Sequence, residues 1–284
     1  MRKRSILAAL FALAPVCAVA DIPSGEARQK VYEAIARAPS ISEQANTLAL
    51  LAWIEDDVDP AVASEARTAL VGFGGQGMHA IRAAFLKVDP DQQADVVRAL
   101  LDARDTVEAG IPANLFPALE EAVWFGTTEA RGIAIAELGR YRQSGAVVTI
   151  IDAGYEDDEL VPVAIDALGA IGDDRARFFL ETQIFGTEPG IPEKASIALA
   201  RIGGRALEPL KKAMRSDDRR LRELAVRALL PVATVDDLSA LYEYTYSNPE
   251  DDPELVEAVR RSTVVLERLL AAQQSEDSAS PMPD

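Results

Sequence analysis

The feature that most constrains this fold is a repeat of about thirty residues. Sliding the chain against itself aligns IAIAELGRYR, VAIDALGAIG, KASIALARIG and LAVRALLPVA, with Leu138, Leu168, Leu199 and Leu229 in one column at spacings of 30, 31 and 30. Four residues earlier stand Ala134, Ala164, Ala195 and Ala225, and three residues later Tyr141, Ile171, Ile202 and Val232. Apolar residues at these offsets form one stripe of an α-helix. Small alanines on it allow close helix contact, and larger residues fill the layer between neighbours. The column extends upstream to Leu70 and Leu100, and the wider gap to Leu138 predicts an insertion around TVEAGIPAN, where Gly110 and Pro112 favour a loop.

Each unit carries a second apolar segment: MHAIRAAFL, LFPALEEAVWF, AVVTIIDA, ARFFLETQIF, ALEPLKKAM and DDLSALYEYTY. The expected fold is therefore all-α and built of helix pairs. Residues 24–55 read as a degenerate first pair, and PELVEAVRRSTVVLERLLAAQQ as one long capping helix. Trp124, Phe125, Phe178, Phe179 and Phe185 are expected in the core between repeats.

Units of the form A-x-x-A-L-G-x-I-G-D-x-R-A resemble short HEAT-type repeats, similar to those of bilin-lyase-like HEAT proteins, over roughly residues 59–247. The resemblance implies an α-solenoid of about six to seven hairpins, whose units stack because none buries its apolar face alone. Its bilin-lyase branch would imply a chromophore-handling chaperone, a task at odds with the export signal below.

ALGAIGDDRA, at 167–176, has glycines and acids that could suggest a phosphate cradle or metal loop. A phosphate cradle needs glycines between a strand and a helix start. Here Gly172 follows a helix, so a left-handed helix end is expected, with Asp173 or Asp174 capping the next helix. Asp59-Pro60, Asp89-Pro90 and Asp252-Pro253 read as the same capping device.

Residues 1–20 read as a secretory signal peptide: Arg2, Lys3 and Arg4 precede a short apolar run, and Ala18 and Ala20 form an A-x-A site. A lipoprotein reading on Cys17 fits less well, because Pro15 and Val16 replace the small residues of a lipidation box. Cleavage would remove the only cysteine and take the formal net charge from −17 to −20. So acidic a chain repels nucleic acid and anionic lipid heads, and no segment is long enough to span a bilayer. Residues 21–274 read as one domain, and 275–284 as a disordered tail.

The chemistry is sparse. His79 is the sole histidine, and no nucleophile or zinc motif accompanies it. Adjacent acids such as Glu120 and Glu121 point to different helix faces. EDDVD at 55–59, YEDDEL at 155–160 and PEDDPE at 249–254 lack the spacing of a calcium loop. No cofactor or metal is expected.

Charge is uneven: residues 41–126 hold 14 acids and 5 bases, and 201–227 hold 9 bases and 4 acids. The basic stretch nominates Lys211, Lys212, Arg215, Arg219, Arg220 and Arg222 as a partner-binding patch, with Tyr244 and Tyr246 beside it. Tyr242 and Tyr246 share a helix face and Tyr244 turns away. The leading expectation is a non-catalytic scaffold or adaptor, monomeric or weakly associating, that binds another exported or envelope protein in a periplasm. An enzyme or accessory lyase using His79 or a carboxylate pair, and a calcium-stiffened structural protein, are the alternatives.

Overall fold

The computed structural model describes residues 24–55, 58–105 and 115–279, which form fifteen α-helices and no strand. Residues 1–23, where the signal peptide is expected, residues 56–57, residues 106–114, where the insertion around Gly110 is expected, and residues 280–284 lie outside the described residues. The chain divides into two compact units, Met1–Ile135 and Ala136–Asp284. That division falls inside the span 21–274 read from the sequence as one domain.

The first unit holds α1 (Ser24–Ala36), α2 (Ile41–Ala49, continued by a π turn at Leu50–Ile54), α3 (Pro60–Val71), α4 (Gly74–Phe85), α5 (Gln93–Asp105) and α6 (Leu115–Phe125). Helix α1 packs on α3 and α3 on α5, while α2 packs on α4 and α4 on α6. Alternate helices thus share a layer. Local chemistry sets the ends: Ser40 and Glu43 form a reciprocal capping box at α2, and Asp59 accepts from the Ala61 amide before Pro60 at 2.8 Å. Asp89 departs from the expected capping role. Its side chain accepts no capping hydrogen bond; its carbonyl takes the Gln92 amide as a 3-10 turn opens at Pro90.

Helix α7 (Thr128–Arg140) crosses the division. The second unit continues with α8 (Val147–Glu156), α9 (Val161–Ile171), α10 (Arg177–Ile184), α11 (Ile191–Ile202), α12 (Glu208–Ala213), α13 (Arg219–Leu229), α14 (Leu238–Ser247) and α15 (Pro253–Ala279). Helix α9 packs on α11 and α11 on α13. A 3-10 turn opens each second helix, at Ser144, Asp174, Gly204 and Val235, so the structural repeat has spacings of 30, 30 and 31 residues.

Leu138, Leu168, Leu199 and Leu229 are fully buried, as are Ala134, Ala164, Ala195 and Ala225. The column three residues after each leucine is not core: Tyr141, Ile171 and Ile202 are half-buried and Val232 is exposed. Those positions lie where each helix ends and the chain turns away. Gly139 and Gly169 are buried midway between helices instead. A Cβ on Gly139 would lie 2.6 Å from the Ala167 Cα, and one on Gly169 would lie 2.8 Å from the Ala198 Cβ. Glycine sets how closely consecutive first helices approach.

The stretch at 167–176 is an elbow. Gly172 is left-handed (φ +77°) and donates its amide to the Leu168 carbonyl at 3.0 Å. Asp173 accepts from the Arg175 amide at 3.0 Å, and the Arg175 guanidinium reaches the Ser144 carbonyl of the preceding 3-10 turn. At the C-terminus α15 continues to Ala279, into the segment read from the sequence as disordered from Ser275.

Candidate functional site

The basic stretch folds as the end of α12, a tight turn and the start of α13. Asp218 caps α13 by accepting from the Arg220 amide at 2.9 Å, which brings the arginines to the first turns of that helix. All the predicted cations but Arg220 meet an acid. Arg222 grips Asp251 with two bonds of 2.6 and 3.1 Å and donates to the Ser216 and Asp217 carbonyls. Arg219 pairs with Glu223, Arg215 with Glu243, and Lys212 with Glu181. Lys211 reaches Asp237 at 2.8 Å and Glu208 at 3.1 Å. No ion pair joins Arg220 among the described residues.

Two of these acids are buried, and hydrogen bonds and nearby cations together outweigh the cost of that burial. Burial opposes ionisation of Asp251, but Arg222, the Tyr244 hydroxyl and Arg219 hold its carboxyl below the ordinary range. Burial also opposes ionisation of Asp237, which Lys211 and the Thr234 amide hold low. The charges that made residues 201–227 look like a ligand patch are therefore largely neutralised from within.

Lys211, Arg215, Arg222 and Tyr244 line one cavity of about 200 Å³, together with Glu243 and Asn248. Lys212, Arg219, Arg220 and Tyr246 do not line it. Tyr244 corrects the sequence reading: it is only 1% exposed, so it packs rather than recognises. Burial first, then Asp251, pushes its phenol well above the ordinary tyrosine value. Tyr246 is 90% exposed, and the Tyr242 hydroxyl donates to Glu267 from the facing helix.

The other chemical candidates are dispersed. His79 is exposed on α4. Glu121 accepts from Arg82 at 2.7 Å, Asp157 caps the turn before α9, and Asp252 caps α15 while pairing with Arg227. Among the described residues no three His, Cys, Asp or Glu side chains are grouped to hold a metal.

A different surface emerges on the second helices of residues 136–284. Eleven residues after each 3-10 start stand Tyr155, Phe185, Arg215 and Tyr246, and four residues after the first two starts stand Val148 and Phe178. All six are exposed, Phe178 by 65%. The core prediction for Phe178 and Phe185, and for Trp124 and Phe125 in the first unit, is thereby overturned; only Phe179 is buried. Phe179 takes the inward position of α10 and forms a T-shaped pair with Tyr155, ring centres 5.0 Å apart, which leaves Phe178 facing out under Arg177. Lys212 lies 5.4 Å from the centre of the Phe185 ring. The thirty-residue period contains this row, but hydrophobicity alone does not tell Phe178 and Phe185, which face out, from Phe179, which faces in. No protein-family model matches the chain, and no curated protein matches it, so the reading of this surface rests on its own chemistry.

Proposed function

We propose that this chain is an exported protein-binding scaffold, a HEAT-like α-solenoid of six to seven helical pairs with a capping helix, acting without chemistry of its own. The layered packing of alternate helices and the recurring 3-10 turns support the repeat reading. One observation carries the binding reading: Tyr155, Phe185 and Tyr246 recur at one repeat position and remain in water. Exposed apolar groups in series cost solubility unless a partner covers them, and aromatic anchors are the residues that supply most interface energy. Lys212 and Arg215 stand among them, each already paired, and give the face a polar rim.

The partner is another exported or envelope protein. Affinity capture from an envelope extract tests this. The wild-type chain is expected to recover a reproducible partner, and Phe178→Ser with Phe185→Ser to reduce recovery at least tenfold while circular dichroism shows the fold intact. Equal recovery by both, or no reproducible partner, rejects the reading.

A further inference from the structure

The C-terminal helix carries a second apolar stripe that the fold does not use. Helix α15 buries Leu255, Val256, Val259, Thr263 and Leu266 against its own unit. Ala258, Val265, Leu269 and Ala272 lie on another stripe at helical spacing, and Val265 and Leu269 are 55% and 51% exposed. Beside it runs a groove of about 420 Å³, lined by Leu230 and Ala233 on one side and by Ala258, Arg261, Val265 and Leu266 on the other. That volume is enough for a few apolar side chains.

The charge along this groove indicates what fills it. Arg261 and Arg268 lie along one edge of the stripe, exposed, and no ion pair joins either among the described residues. On α13, by comparison, Arg219, Arg222 and Arg227 are paired and Arg220 alone is not. The acids of α15 within the same turns are otherwise engaged: Glu257 faces Arg260 and Glu267 accepts from Tyr242. Glu254 lies one turn beyond, at the helix start. Seven residues place the two arginine backbones about 10 Å apart along the axis.

We propose that this groove docks the apolar face of an acidic amphipathic helix of a partner protein, with two carboxylates seven residues apart meeting Arg261 and Arg268. An apolar stripe with flanking cations would also suit an anionic bilayer. A bilayer, however, faces the whole molecule with its formal charge of −17, whereas one helix faces only this stripe. The groove is separate from the aromatic face of the second helices, so either surface can fail its test while the other stands.

Fluorescence anisotropy on the full chain tests the assignment with a labelled synthetic helix bearing a leucine stripe and glutamates seven residues apart. Saturable binding is expected, weakened at least tenfold by Arg261→Glu with Arg268→Glu and by Val265→Asp. Arg201→Glu, on α11, is expected to leave it unchanged. All these positions but Val265 are charged and exposed, so circular dichroism should show intact folding. The same peptide with lysine for glutamate is expected not to bind. Equal binding of the lysine peptide, unweakened binding by the double variant, or sedimentation with vesicles of one-third anionic phospholipid in place of peptide binding overturns the proposal.

Discussion

Replacing Gly169 with alanine sets two residue-scale effects against each other. Alanine favours a helix interior by about 1 kcal/mol, but its methyl would lie 3.0 Å from the Ala198 Cα, a backbone atom that cannot turn aside. Overpacking costs about 1–3 kcal/mol, so Gly169→Ala is expected to lower stability by about 1 kcal/mol, read as a reduced denaturant midpoint. Gly172→Ala should cost a similar amount for a different reason. Its Cβ meets nothing, but φ of +77° disfavours any side chain; Gly172→Asn is expected to recover part of the loss. Both glycines stand in ALGAIGDDRA, where the sequence marks Gly172 as a helix end and gives Gly169 no separate role. The distinction depends on Ala198, twenty-nine residues downstream. His79→Ala, on an exposed face, is expected to change neither stability nor partner capture beyond about 0.5 kcal/mol of stability.

At the scale of elements, helix boundaries were legible because caps and periodicity are local, whereas the polar contacts between helices were not. Arg222 meets Asp251 and Lys211 meets Asp237 across one repeat, and no spacing rule announces such pairs. That is why the basic stretch looked like a binding patch. Asp251→Ala would leave Arg222, itself mostly buried, without its partner, and is expected to cost about 3 kcal/mol. The pair Arg215 and Glu243 lies in water, so Glu243→Ala should leave the denaturant midpoint nearly unchanged. The buried acids also set a pH dependence. Asp237 and Asp251 titrate lower in the folded chain than in the unfolded one, where about 3.9 is usual. Their contribution is therefore complete above that value and is lost as pH falls through their folded values. The melting temperature should drop steeply below about pH 4, and Asp251→Asn should flatten that slope.

For the whole molecule, the acidic excess invites the idea of bound calcium, and the arrangement of the acids argues otherwise. Asp157, Asp173, Asp218 and Asp252 cap turns or helices, while Asp237 and Asp251 face cations. Adding millimolar calcium after chelation is accordingly expected to leave the melting curve unchanged, as differential scanning fluorimetry would read. Within residues 136–284 two kinds of link join successive helix pairs. Glycine against alanine is steric and dry; Lys212 to Glu181, Arg215 to Glu243 and Lys194 to Asp166 are ionic and wet. Salt reaches the second kind and not the first. The stack should grow more compliant in brine without coming apart, so its stiffness is a quantity that the surrounding medium can tune.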